Sequence, residues 1–197
     1  MKVLGISGSL REGSYNTLLL ERARRAMPAG ASLERWNGLR ELPHYDEDLD
    51  RRILNGDDSD FAVARLRDAI VAADAVLFVT PEYNGSIPGV LKNAIDWASR
   101  PAGAAALKGK PVAVIGASPG QYGGVWAQAD LRRVLGIAGA RVIDSEFAVT
   151  KVHEALASNN GIVSHEAQPQ LQHVLNQLIE QARPTKPSPK QPTASPI

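Results

Sequence analysis

The sequence contains no cysteine. A disulfide framework, a thiolate metal site, an iron–sulfur cluster and a cysteine nucleophile are therefore excluded. A chain without thiols fits the cytosol. An excess of charge is lacking too: 22 Lys+Arg against 21 Asp+Glu leave a formal net charge of +1. Coating of nucleic acid by a basic surface is not expected. No stretch supplies the ~20 consecutive apolar residues of a membrane span. The opening MKVLGISGSLREGS turns to Gly, Ser and Arg too soon for a signal peptide. Histidine is sparse, and His44, His153, His165 and His173 show no clustered spacing, so no metal site is expected. The expectation is a soluble cytoplasmic protein with neither a membrane nor a nucleic-acid partner.

What is present is the composition of a globular domain, with 44% hydrophobic and 22% charged residues. Apolar runs alternate with helical patterns. Lys2 to Ile6, Ser32 to Trp36, Ala75 to Thr80, Pro111 to Gly116 and Arg141 to Ile143 read as strands. The third and fourth are almost wholly apolar, as in strands buried on both faces. Helices are expected over Tyr15 to Met27, Asp60 to Ala73, Val90 to Ser99, Val125 to Leu135 and His165 to Arg183. Leu18, Leu19, Ala23 and Ala26 mark the inner face of the first. Phe61, Ala64, Ile70 and Val71 mark that of the second, which Asp60 would cap. In the third, Leu91, Ala94, Ile95 and Ala98 form the core stripe, and Trp97 is placed to extend toward a partner subunit.

Alternating strands and helices predict an α/β fold: a flavodoxin-like three-layer sandwich with a five-stranded parallel sheet of order 2-1-3-4-5. Residues 1–183 form the domain. Asn37 to Ser59 is polar and weakly patterned and reads as a long loop. From Pro184 onward, five prolines in fourteen residues predict a disordered tail over 184–197.

In such a sheet, ligands bind beyond the carboxyl ends of the strands where strand order reverses. Three loops meet there. The first, Ser7 to Thr17, offers hydroxyls, helix N-terminal N–H groups and Arg11, which together suit a phosphate. It matches neither G-x-G-x-x-G nor the lysine-bearing G-x-x-x-x-G-K-[ST] loop. That favours a phosphomonoester at the end of a cofactor over a nucleoside triphosphate. The second, Thr80 to Gly89, is stiffened by Pro81 and Pro88 and can present backbone groups and Tyr83 to a flat heteroaromatic ring. In it, Asn84 has either the ligand or its own loop as a partner, and Glu82 either orders the turn or acts as an acid–base group. The third, Gly116 to Gly124, is small and flexible and carries Ser118.

The segments GISGSLREGSYN, TPEYNGSIPGVLKNAIDWASR and GASPGQYGGVWAQADLRRVL resemble the NADPH-dependent FMN reductase family, within it the bacterial quinone and chromate reductase-like flavoproteins. The resemblance runs from about Lys2 to about Phe147. It implies bound FMN, NADPH or NADH as co-substrate, and a homodimer or homotetramer. By position, Ser9, Arg11, Ser14, Tyr15 and Asn16 would surround the FMN phosphate. Pro81, Glu82, Tyr83, Asn84 and Gly85 would line the isoalloxazine, and Ser118 would meet the flavin from the third loop. Many relatives have arginine where this chain has Trp126, and some have an aromatic residue at Gly85.

The expected reaction is hydride transfer from NADPH to N5 of FMN, then reduction of a small-molecule acceptor: a quinone, free flavin, an azo dye or chromate. No side chain then has to serve as catalytic acid or base, because the cofactor carries the chemistry. The alternative is a flavodoxin-type carrier that binds FMN without a nicotinamide site.

Overall fold

The computed structural model describes residues 1–56, 61–157 and 161–183. The proline-rich tail over 184–197 and the expected cap Asp60 lie outside the described residues. Strands β1 (Lys2–Ser7), β2 (Ser32–Trp36), β3 (Ala75–Thr80), β4 (Pro111–Ala117) and β5 (Arg141–Val142) form a parallel sheet in the order β2-β1-β3-β4-β5. This is the expected doubly wound order, with the reversal between β1 and β3.

Side chains alternate across the sheet with period two. Val3, Leu77, Val79, Ala113 and Ile115 face one hydrophobic layer, with helices α1 (Tyr15–Arg25) and α7 (Gln168–Ala182) over them. Leu4, Ile6, Val76, Phe78, Val112 and Val114 face the other, under α3 (Phe61–Ala72), α4 (Gly89–Ala98) and α5 (Val125–Ile137). Gly5 belongs to this packing. A Cβ there would stand 2.7 Å from Leu20 Cδ1 and 2.7 Å from Leu33 Cδ2, so glycine lets α1 settle onto β1 and β2.

Several expectations need correction. The inner face of α1 is Leu19, Leu20 and Ala23, and Leu18 is exposed, one helical step away. In α3 the buried residues are Ala62, Val63, Leu66 and Ile70, while Phe61 and Val71 face solvent. The stripe expected on α4 is buried as read. Trp97 does not reach a partner: it is fully buried, and its Nε1 donates to Pro43 O at 2.9 Å. An indole N–H needs a partner when buried, and the irregular segment before α2 supplies it.

That segment is not one long loop. It holds a 3-10 turn (Gly38–Glu41) and α2 (Glu47–Leu54), capped by Asp46, whose carboxylate accepts from Asp48 N and Leu49 N. The fifth strand is divided. β5 pairs with the start of β4, and a separate β6 (Ala148–Val149) pairs with its end at Gly116 and Ala117. Between them Ile143 and Phe147 turn inward to the core. A short helix, α6 (Val152–Ala157), follows.

Candidate functional site

The loops after β1, β3 and β4 converge on one cleft of about 390 Å³, within the range of small-molecule sites. Of the residues singled out in the sequence, it gathers Ser9, Arg11, Ser14, Tyr15, Asn16, Pro81, Glu82, Tyr83 and Ser118. Asn84 and Gly85 do not line it. They form the exposed apex of a two-residue turn with φ of 53° and 74°, closed by Tyr83 N to Ser86 O (3.0 Å) and Ser86 N to Tyr83 O (3.1 Å). Asn-Gly is the pair such a turn favours, because both central residues need positive φ.

The first loop is built by capping. Ser14 precedes α1, and its Oγ accepts from Asn16 N at 3.2 Å. The side chain of Asn16 is spent on structure. Its Nδ2 donates to Ala117 O and its Oδ1 accepts from Ala117 N, both at 2.9 Å. This two-point bond ties the first loop to the third. Ser9 Oγ accepts from Arg11 N, and Ser118 Oγ accepts from Gly120 N. Each hydroxyl therefore keeps its proton free to donate into the cleft. Arg11 lies over the Tyr15 ring, 5.2 Å from the centroid, and donates only to the backbone O of Glu12. No carboxylate neutralises it among the described residues.

Glu82 has a structural assignment. Its Oε2 accepts from Ala127 N at 3.0 Å, in the first turn of α5. A carboxylate there satisfies an orphan N–H and faces the positive end of the helix. Gly124, the residue before α5, is left-handed (φ 78°), and a Cβ added to it would meet Glu82 Cβ at 3.6 Å, so the second loop packs closely against the start of the helix. A second tie joins Ser86 Oγ to Asp130 Oδ2 at 2.6 Å. Ser86, and then Arg133, hold the Asp130 carboxyl below its ordinary range. The stability this contact contributes is complete above the ordinary carboxylate range and disappears as the pH falls through the depressed value. Glu82→Ala should lower stability by about 1 kcal/mol through loss of the cap. A urea midpoint identical to wild type would show that the contact contributes nothing.

The donor set fits a flavin mononucleotide. Two free hydroxyl protons, a helix N-terminus and an unpaired guanidinium suit a phosphomonoester and a polar side chain. Pro81 and the half-exposed ring of Tyr83 offer a wall for a flat heterocycle. The sequence leaves Trp126 open as an interface residue, a wall of the acceptor pocket or ordinary packing; the structure places it on an exposed stripe of α5 whose other members the sequence did not signal. Trp126, Arg133 and Ile137 recur at helical spacing and all face solvent, with Tyr122 edge-on to Trp126 at 4.9 Å.

The model of the NADPH-dependent FMN reductase family matches residues 1–154. An NAD(P)H-dependent FMN reductase of Pseudomonas aeruginosa is 41% identical over 179 residues, covering 90% of this chain and 93% of that protein. A 2-hydroxy-1,4-benzoquinone reductase of a Burkholderia species is 38% identical, covering 93% of this chain and 97% of its own length. Among solved structures, the flavoenzyme NAD(P)H:(acceptor) oxidoreductase of Paracoccus denitrificans superposes with a TM-score of 0.79 at 37% identity, covering 92% and 96% of the two chains.

Proposed function

Because this chain belongs to the NADPH-dependent FMN reductase family, we propose that it is a quinone reductase of the cytoplasm, with residues 1–183 as its catalytic domain and 184–197 as an appended tail. It is an NAD(P)H-dependent oxidoreductase with FMN as cofactor. Bound FMN supplies a ring that accepts a hydride from a nicotinamide and returns the electrons to a second substrate. The protein's part is binding and exclusion. Ser9, Arg11 and the capped start of α1 hold the phosphate. Ser14 and Asn16 shape that start, the one by capping it and the other by fixing it to the third loop. Backbone groups of Pro81, Glu82 and Tyr83 border the ring, and the Ser118 hydroxyl donates to it. Tyr83 flanks the opening through which nicotinamide and quinone enter in turn. No side chain has to act as acid or base, because the cofactor carries the chemistry; Glu82 Oε2 instead accepts from Ala127 N–H.

The observation that carries this reading is the convergence of three chemically distinct loops on one cleft with free donors and an unpaired arginine. A quinone is favoured as acceptor because relatives at 38% and 34% identity are named as quinone reductases. The test is the visible spectrum of FMN-loaded protein kept free of oxygen. NADPH should bleach it, and a benzoquinone should restore it. Flavin that stays oxidised with both NADPH and NADH would overturn the reading and point to an electron carrier.

The exposed stripe on α5 is the proposed contact between two copies of the chain. Burying Trp126, Tyr122 and Ile137 removes apolar surface that a monomer leaves in water. Trp126→Ala should shift sedimentation toward the monomer while FMN remains bound. Unchanged sedimentation would count against this interface.

A further inference from the structure

A second cleft, of about 280 Å³, lies on the other side of the β1–α1 loop, against the carboxyl end of β2. Its wall carries three arginines, Arg11, Arg35 and Arg40, against a single carboxylate, Glu12. Among the described residues none of the three makes an ion pair. Arg40 Nη2 donates to Leu10 O at 2.9 Å, Arg11 Nη1 donates to Glu12 O, and the Arg35 side chain has no partner among the described residues. A bond to a carbonyl leaves a guanidinium's charge uncompensated, so the cleft gathers positive charge that suits an anion.

Its position narrows the ligand. The register pairs Ile6 with Trp36, so Arg35 and Trp36 stand level with the point where β1 enters its loop. In doubly wound sheets the end of the second strand meets the ribose of a dinucleotide. In those sheets that bind dinucleotides through a glycine fingerprint, an acidic residue there accepts from the free 2′-hydroxyl and an arginine accommodates a 2′-phosphate; this chain lacks the fingerprint, and the likeness is one of strand-end position alone. Here the residue is arginine. Beside it, Trp36 is only partly buried and lines the cleft. The 3-10 turn folds down on its indole because residue 38 is glycine: a Cβ there would lie 2.5 Å from Trp36 Cζ2. Arg40 then reaches back to Leu10 and closes the far wall. The result is an aromatic plane beside unpaired guanidinium groups. Ser9 and Arg11 line both clefts, so a single loop separates the two.

We propose that this second cleft holds the 2′-phosphoadenosine end of NADPH, with Arg35 and Arg40 on the 2′-phosphate and Trp36 against the adenine, making the enzyme selective for NADPH over NADH. The assignment rests on the flavin reading above, which places the nicotinamide in the first cleft.

Calorimetric titration with 2′,5′-ADP and with 5′-AMP tests it, on protein with and without FMN. The wild type should bind 2′,5′-ADP at least tenfold more tightly than 5′-AMP. Arg35→Ala should reduce that ratio about tenfold, and Arg35→Lys should restore part of it. The ratio of kcat/KM for NADPH to that for NADH should fall in step, through KM. Equal affinities in the wild type, or an unaltered ratio in Arg35→Ala, would overturn the assignment. So would inorganic phosphate binding as tightly as 2′,5′-ADP, which would mark a general phosphate site. Failure of FMN to bind would instead defeat the flavin reading, and the flavin-free titrations would still decide the fate of the second cleft.

Discussion

Asp50→Asn should lower the melting temperature by about 10 °C. Asp50 sits in α2 with 6% of its side chain exposed, and its partner Arg67 in α3 has 12% exposed. Arg67 Nη2 donates to Asp50 Oδ1 at 2.6 Å, and Arg67 also donates twice to Trp97 O, with its guanidinium 5.8 Å from the Trp97 ring. Removing the carboxylate leaves a cation with little access to water. Breaking one side of a buried pair costs about 3–5 kcal/mol, and a domain of this size loses about 2–4 °C per kcal/mol. The damage should spread, because the same tryptophan anchors Pro43 O through Nε1, and Asn93 Nδ2 shares that carbonyl. Differential scanning calorimetry of the purified variant is the measurement. A shift below about 3 °C would mean that Arg67 finds other solvation. The double variant Asp50→Leu, Arg67→Met should recover much of the loss, since an apolar pair of similar size removes the stranded charge.

Arg11→Ala should weaken FMN binding about tenfold to a hundredfold and leave riboflavin binding nearly unaffected. A hydrogen bond to a charged group is worth about 1.5–3 kcal/mol, and each ~1.4 kcal/mol is tenfold in affinity. The two flavins differ only in the phosphate, so the comparison isolates that group from the ring. Arg11 has no competing carboxylate to give up on binding among the described residues, and its stacking on Tyr15 holds it near the start of α1. Fluorescence titration of both flavins decides it: an equal loss for each would reject the assignment of the phosphate.

The strand order and the positions of the main helices were legible because β3 and β4 are continuous apolar runs and α1, α3, α4 and α5 begin close to their sequence signals. The cleft was legible for a related reason: its residues follow directly on those strands. What escaped was set by distant contacts. α2 reads EDLDRRIL, too polar to show an apolar stripe, although Asp46 and the acidic first turn are proper start signals. Its one buried carboxylate is intelligible only beside Arg67. Trp97 looked like an outward aromatic until Pro43 O was seen to meet its N–H. Asn16 looked like a ligand donor, and only the fold reveals that its amide is committed to Ala117. The division of the fifth strand follows from Ile143 and Phe147 turning inward, which two-residue strands cannot announce.

The bond between Asn16 and Ala117 also bears on how the protein comes to exist. Its two ends are 101 residues apart in the chain. Contacts of such long sequence separation form slowly, because the loop they close must lose its entropy before anything rewards the closure. During synthesis this bond can form only once Ala117, more than half-way along the chain, has emerged. A flavin that binds only the finished cleft draws the population toward the completed fold by mass action. The asparagine that joins the first and third loops thus belongs to the part of the fold that a bound ligand of this cleft would hold in place.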